Sequence, residues 1–178
     1  MKRLFFTLCV LAASATWMHA QEVSTQENVK AQEYMSNVSY NKGYRADIEL
    51  SVAIINQLGI STSHGYSFGN GLYVGGGAGF VAEFLPDFKA KPNYLTPLFA
   101  DIKYSFIKNA IATPFVSFKC GAIADISNLG LRTFANPAVG IDIARFALKI
   151  QYEYQQSICG YSDDITAHFL KIGIGYTF

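Results

Sequence analysis

The sequence predicts an all-β protein: an eight-stranded antiparallel up-and-down transmembrane β-barrel. Three observations predict it. From Gly43 to Phe178, apolar and polar residues alternate with a period of two, the repeat that sends successive strand side chains to opposite faces. The alternating runs are about 10–13 residues long, against about 5–6 in soluble sheets, a length suited to a tilted bilayer crossing. The chain of 178 residues is also 51% hydrophobic and only 15% charged, where an ordinary soluble domain carries about 25% charge.

Before the strands come two other segments. Met1-Lys2-Arg3 is a basic start, followed by the apolar run Leu4–Ala13 and small residues ending at Ala20. That layout predicts a secretory signal peptide over 1–20; the apolar run is too short for a membrane span of about 17 residues or more. Residues 21–42 are polar, with one faint helical stretch over Gln26–Tyr34, and read as a flexible periplasmic N-terminal extension. Without Lys2 and Arg3, 12 basic and 13 acidic residues remain. This near balance argues against nucleic-acid binding, and the 15% aromatic content argues against disorder. Of the remaining cysteines, Cys120 falls in mid-strand and Cys159 in a loop, so both read as free thiols.

The first strand covers Gly43–Ile54, with Tyr44, Ala46, Ile48, Leu50, Val52 and Ile54 on one face. The second, Leu58–Phe68, turns at Gly69-Asn70-Gly71, a strong hairpin sequence. The third runs Leu72–Phe84. A loop holding Pro86 and Pro92 precedes the fourth, Pro97–Ile107, and Lys108-Asn109 begins a short turn. The fifth is Pro114–Asp125, the sixth Thr133–Ala144, the seventh Phe146–Gln155 and the eighth Ala167–Phe178. Longer loops are expected at 85–96, 126–132 and 156–166.

Twelve charged residues fall within these strands: Arg45, Asp47, Glu49, Glu83, Asp101, Lys103, Lys119, Asp125, Asp142, Lys149, Glu153 and Lys171. All lie on the parity opposite the apolar stripe, so one face is kept free of charge. Alternation alone does not say which face is outside. Strand length favours the apolar face outward, against lipid. So does the glycine series Gly75, Gly77, Gly79, Gly121, Gly140, Gly173 and Gly175 on the charged face, because a narrow lumen needs room for facing side chains. Aromatics also gather at the strand ends, with Tyr44, Tyr66, Phe68, Phe106, Phe146, Tyr176 and Phe178 toward one rim and Phe84 and Tyr154 toward the other. Their rings suit the headgroup level.

The region Gly43–Phe178 resembles the eight-stranded OmpA/OmpX-type outer-membrane barrels, most closely the small barrel proteins of Bacteroides-like Gram-negative bacteria. The segments Gly59–Tyr66, Val74–Gly79 and Phe99–Tyr104 carry the resemblance. The final octet does so too, with Lys171, Gly173, Tyr176 and Phe178 at the positions of such proteins' assembly signal. The resemblance implies export to the bacterial outer membrane, insertion into outer-membrane lipid, recognition by the barrel-assembly machinery, and a monomer.

Function divides into three classes. The twelve charges inside a barrel this narrow are expected to pair and plug the lumen, because an isolated buried charge costs several kcal/mol. The protein would then be structural, or would meet an extracellular ligand through loops such as Leu85–Lys89 and Cys159–Asp164. The second class is a narrow or gated ion or solute pore through the same charges. The third is a lipid-modifying enzyme built on Ser63, His64 and Ser67. His64 shares the apolar face with Thr62 and Tyr66 while both serines point inward, and no carboxylate orients the imidazole. The expectation is therefore no enzyme, no cofactor and no metal, since no Cys/His cluster has ligand spacing.

Overall fold

The structure is a computed structural model and describes residues 41–54, 56–84, 92–106, 112–159 and 166–178. The expected signal peptide, most of the N-terminal extension, Lys108-Asn109 and the segments Leu85–Lys89 and Gly160–Asp164 lie outside the described residues.

Eight strands form one closed barrel: β1 (Lys42–Ala53), β2 (Gln57–Phe68), β3 (Leu72–Glu83), β4 (Asn93–Ser105), β5 (Ala112–Asp125), β6 (Gly130–Ile143), β7 (Phe146–Cys159) and β8 (Thr166–Thr177). Every neighbour is the next strand in sequence and antiparallel, and β1 closes on β8. Closure leaves no exposed sheet edge to pair with another chain. The β2–β3 hairpin turn works because Gly69 and Gly71 hold φ of 78° and 88°, a region that L side chains avoid. We call the end holding the start of β1 and the finish of β8 the terminal end, and the opposite one the loop end.

Four expectations need correction. Strand β4 begins at Asn93, four residues before Pro97. Proline reads as a strand start because it donates no ladder hydrogen bond; here it sits inside the strand, and β3–β4 pairing lapses between Ala78↔Leu98 and Val81↔Leu95. Strand β6 begins at Gly130, so the expected loop 126–132 shrinks to a turn at 126–129. Strand β7 continues to Cys159, placing that residue on a strand rather than in a loop. Its end escaped the pattern because the outward Gln156 is polar, so apolar alternation stops there although the side chains go on alternating between the faces to Ile158. Finally, connections at the loop end are not all long: that between β5 and β6, at 126–129, is only one residue longer than the β2–β3 turn at 69–71.

The faces are sorted as in a barrel turned inside out. Large apolar side chains such as Leu50, Ile60, Leu98, Ile102, Val139, Ile150 and Ile174 are exposed on the outside. Arg45, Glu49, Lys103, Lys119, Asp142 and Lys171 are buried inside. No helix among the described residues is long and apolar enough to cross a membrane, which says nothing about strands.

Candidate functional site

All twelve charges expected on one face point into the lumen, and eleven of them form ion pairs. Near the terminal end, Arg45 Nε donates to Asp47 Oδ1 at 3.0 Å and its Nη2 to Thr177 Oγ1 at 3.1 Å. Thr177 Oγ1 in turn donates a hydrogen bond to Asp47 Oδ1. Beside them Lys103 Nζ meets Asp142 Oδ1 at 2.6 Å.

The centre is built on Glu49. Its Oε2 accepts from Lys119 Nζ at 2.5 Å and pairs with Lys149 Nζ at 2.7 Å; its Oε1 accepts from Gln151 Nε2 at 2.5 Å. One carboxylate on β1 thus ties β5 and β7 across the lumen, and both of its oxygens are engaged. Its near neighbour is Glu153, which receives Lys171 Nζ and Gln155 Nε2 on Oε1 and Asn136 Nδ2 on Oε2. Burial at these sites makes each partner necessary, because removing one leaves an uncompensated charge in a low-dielectric interior.

Asp101 is the exception. It lies opposite Lys119 on the ladder, but Lys119 reaches across to Glu49 instead. Among the described residues Asp101 stands outside the ion pairs, and its Oδ1 has no hydrogen-bond partner. It lines a cavity of about 30 Å3 together with Ser61, Ser63 and Ser117. A second cavity of about 40 Å3 lies on the loop side of Glu49, next to the similarly unpartnered Oδ1 of Asn136. Each has room for a few water molecules at most.

The sequence reading missed two components of the lumen. Arg132, assigned to a loop, is buried on β6. Its guanidinium donates to Asp125 Oδ2 at 3.0 Å and Gln155 Oε1 at 3.1 Å, and lies 3.6 Å from Glu83 Oε2. Glu83 also accepts from Gln57 Nε2 at 3.0 Å. The other component is apolar. In the loop half, Leu95, Phe99, Ile123 and Phe134 form a buried cluster backed by Val81. Rings also cap cations: Lys103 Nζ lies 3.9 Å from the Phe115 centroid, Lys119 Nζ 4.5 Å from that of Phe99, and the Arg45 guanidinium 5.1 Å from that of Tyr73. Such contacts stabilise a desolvated cation by about 2 kcal/mol.

Lumen glycines make these rings possible. A Cβ on Gly77 would stand 2.7 Å from Phe99 Cζ, one on Gly140 2.6 Å from Phe115 Cζ, and one on Gly75 would meet the Tyr73 hydroxyl. These glycines leave the room in the lumen that the inward aromatic rings occupy.

On the outer face, an aromatic band gathers at the terminal end. Tyr66 packs edge-on to Phe68, Tyr104 to Phe106, and Tyr176 to both Phe146 and Phe178. Of the expected assembly-signal residues, Tyr176 and Phe178 belong to this band, whereas Lys171 and Gly173 face the lumen. His64 is exposed there as well. Its Nδ1 lies 2.6 Å from Tyr44 Oη and its Nε2 3.0 Å from Thr62 Oγ1, while Ser63 and Ser67 are buried inside. Cys120 and Cys159 are free and exposed. Among the described residues, no three His, Cys, Asp or Glu side chains come together as a metal site.

No protein-family model matches the chain, and no curated relative matches it. Solved structures do. The outer membrane enzyme PagL aligns over 74% of this chain and 98% of its own, with a TM-score of 0.55 at 10% identity. The N-terminal β-barrel domain of Pseudomonas aeruginosa OprF covers 78% of this chain and 100% of its own, with a TM-score of 0.46 at 15% identity. Neisserial surface protein A covers 76% and 94%, with a TM-score of 0.48 at 14% identity. At such identities the likeness concerns the fold alone: a closed, eight-stranded, all-antiparallel up-and-down barrel.

Proposed function

We propose that the protein is an outer-membrane barrel with a plugged lumen, acting as a structural or surface-interaction protein through the connections at its loop end. One observation carries the reading: charge is sorted inward and large apolar side chains outward, around a closed barrel with an aromatic band. Water would make that outer face costly, at about 25 cal/mol for each Å2 of apolar surface, whereas lipid makes it favourable. The plug follows from two layers in series. The Glu49 centre crosses the lumen by ion pairs, and the Leu95–Phe99–Ile123–Phe134 cluster fills it nearer the loop end.

Flotation of the refolded protein with liposomes, together with heat-modifiable gel mobility, tests insertion. Planar-bilayer recording tests the plug: the expected result is no steady conductance, and reproducible ion-selective openings would favour the pore reading instead. An enzymatic role has less support. The chain Thr62–His64–Tyr44 offers a hydroxyl, an imidazole and a phenol in sequence, but every described strand carboxylate faces the lumen, leaving none to steady the imidazole. His64→Ala is expected to leave the lipid profile of expressing cells unchanged.

A further inference from the structure

Buried oxygens with no hydrogen-bond partner recur along the lumen. Among the described residues, Asp101 Oδ1 is one on the terminal side of Glu49, and Asn136 Oδ1 is another on the loop side. Thr113 Oγ1, at the terminal end of β5, and Gln57 Oε1, at the loop end of β2, extend the file in both directions. All four residues are more than nine-tenths buried. The amides of Asn136 and Gln57 donate to Glu153 and Glu83, so what each leaves unused is an acceptor. A buried acceptor costs free energy until a donor or a cation meets it.

Charge favours the same kind of guest. Among the described lumen groups of the loop half, Arg132 and Lys171 face three carboxylates, Glu83, Asp125 and Glu153. In the terminal half the described charges balance, and Lys103, Lys119 and Lys149 are each held by a carboxylate. A wall poor in side chains leads past them. Ser63, Ser61 and Gly59 on β2 lie opposite Gly77, Gly79 and Val81 on β3, and Ser61 lines the cavities on both sides of Glu49.

This polar lining ends at Phe99 and Phe134, which bound the cavity on the loop side. On β4, Leu95 and Phe99 come between Asp101 and Asn93, the residue level with Glu83 and, through it, with Gln57. Phe99 has glycine opposite it on both neighbouring strands, Gly77 and Gly121. Its ring occupies the space over Gly77, and neither glycine has a side chain that could close the gap in its place.

Resting on the reading that the lumen is plugged, we propose that it is a path for small monovalent cations, shut at one apolar level by the Phe99 ring backed by Phe134. The file of acceptor oxygens replaces part of a cation's water shell on either side of that level, and the surplus carboxylates of the loop half set the sign of the ion. The ring level stops passage as a hydrophobic constriction does, by excluding water. Of the two layers that plug the lumen, the Glu49 centre ties strands together and the apolar one makes the seal.

The test is planar-bilayer recording of the full barrel across a potassium chloride gradient. The parent is expected to show no steady conductance, and so is Glu49→Gln, whose apolar level is intact. Phe99→Ala, the milder truncation, and Phe99→Ala with Phe134→Ala are expected to give steady openings whose reversal potential lies on the potassium side of zero. Adding Asp101→Asn is expected to shift that potential toward zero. Closed lumens in both truncated variants, a reversal potential at zero or on the chloride side, no shift with Asp101→Asn, or openings in Glu49→Gln overturn the proposal. Flotation and heat-modifiable mobility of each variant establish insertion before recording. Steady conductance by the parent overturns instead the plugged reading on which the proposal rests.

Discussion

Glu49→Gln removes one charge and almost no volume, and it isolates what the central carboxylate does. In the parent, Glu49 holds Lys119 at 2.5 Å and Lys149 at 2.7 Å, with side chains on both sides of each pair 9% exposed. After the substitution two ammonium groups remain in one buried layer with a neutral amide between them. Breaking a buried pair by removing one partner costs about 3–5 kcal/mol. Asp101, without an ion pair among the described residues and lining the same cavity as both lysines, is a nearby anion not already committed to another cation and moderates the loss toward the lower end. The assay is equilibrium urea unfolding in liposomes, followed by heat-modifiable gel mobility. Lys119→Met is made alone and with Glu49→Gln; the double variant is expected to recover at least about 1 kcal/mol relative to the sum of the singles, because one of the two orphaned ammonium groups is gone. A loss below about 1 kcal/mol for Glu49→Gln, or strict additivity within about 0.5 kcal/mol, would refute the view that this ion cluster locks the lumen.

Other outcomes follow from packing and topology. Gly77→Val is expected to destabilise by about 1–3 kcal/mol in the same unfolding assay, because its Cβ would run into the Thr62 backbone carbonyl and stand 2.7 Å from Phe99 Cζ; a neutral result would mean that both the β2 backbone and the ring can give way. Ala144 holds φ 53° in the β6–β7 turn, so Ala144→Gly should stabilise by about 1 kcal/mol, and a loss of stability would count against strain there. On intact cells a membrane-impermeant maleimide is expected to label Cys159, at the loop end, and to reach Cys120, in the middle of the lipid face, only after detergent. The reverse order would turn the barrel over or expose its belt to water.

Much of this architecture was legible in residue order because a strand has a side-chain period of two. A residue's parity fixes its face whatever its neighbour, so Glu49, Lys119 and Lys171 could be assigned to one side without knowing any partner. Lapses in the alternation marked where that reading weakened. Polar Thr133 outward and apolar Phe134 inward reverse the usual sorting and hid the strand position of Arg132, and Pro97 sits inside a ladder where a missing N–H suggests an end.

Parity cannot name a partner across a lumen. Glu49 and Lys119 are 70 residues apart, and what brings them together is the closure of β1 on β8 and the stagger of eight tilted strands. The same closure decides that Leu95, Phe99, Ile123 and Phe134 converge in the interior, and that the lysine facing Asp101 on the ladder turns away to Glu49. The sequence by itself determined the strands and the two faces, because these depend on local periodicity. The tertiary structure alone decided which inward groups meet and where apolar side chains close the lumen, because those distances are set by curvature and register around the whole barrel.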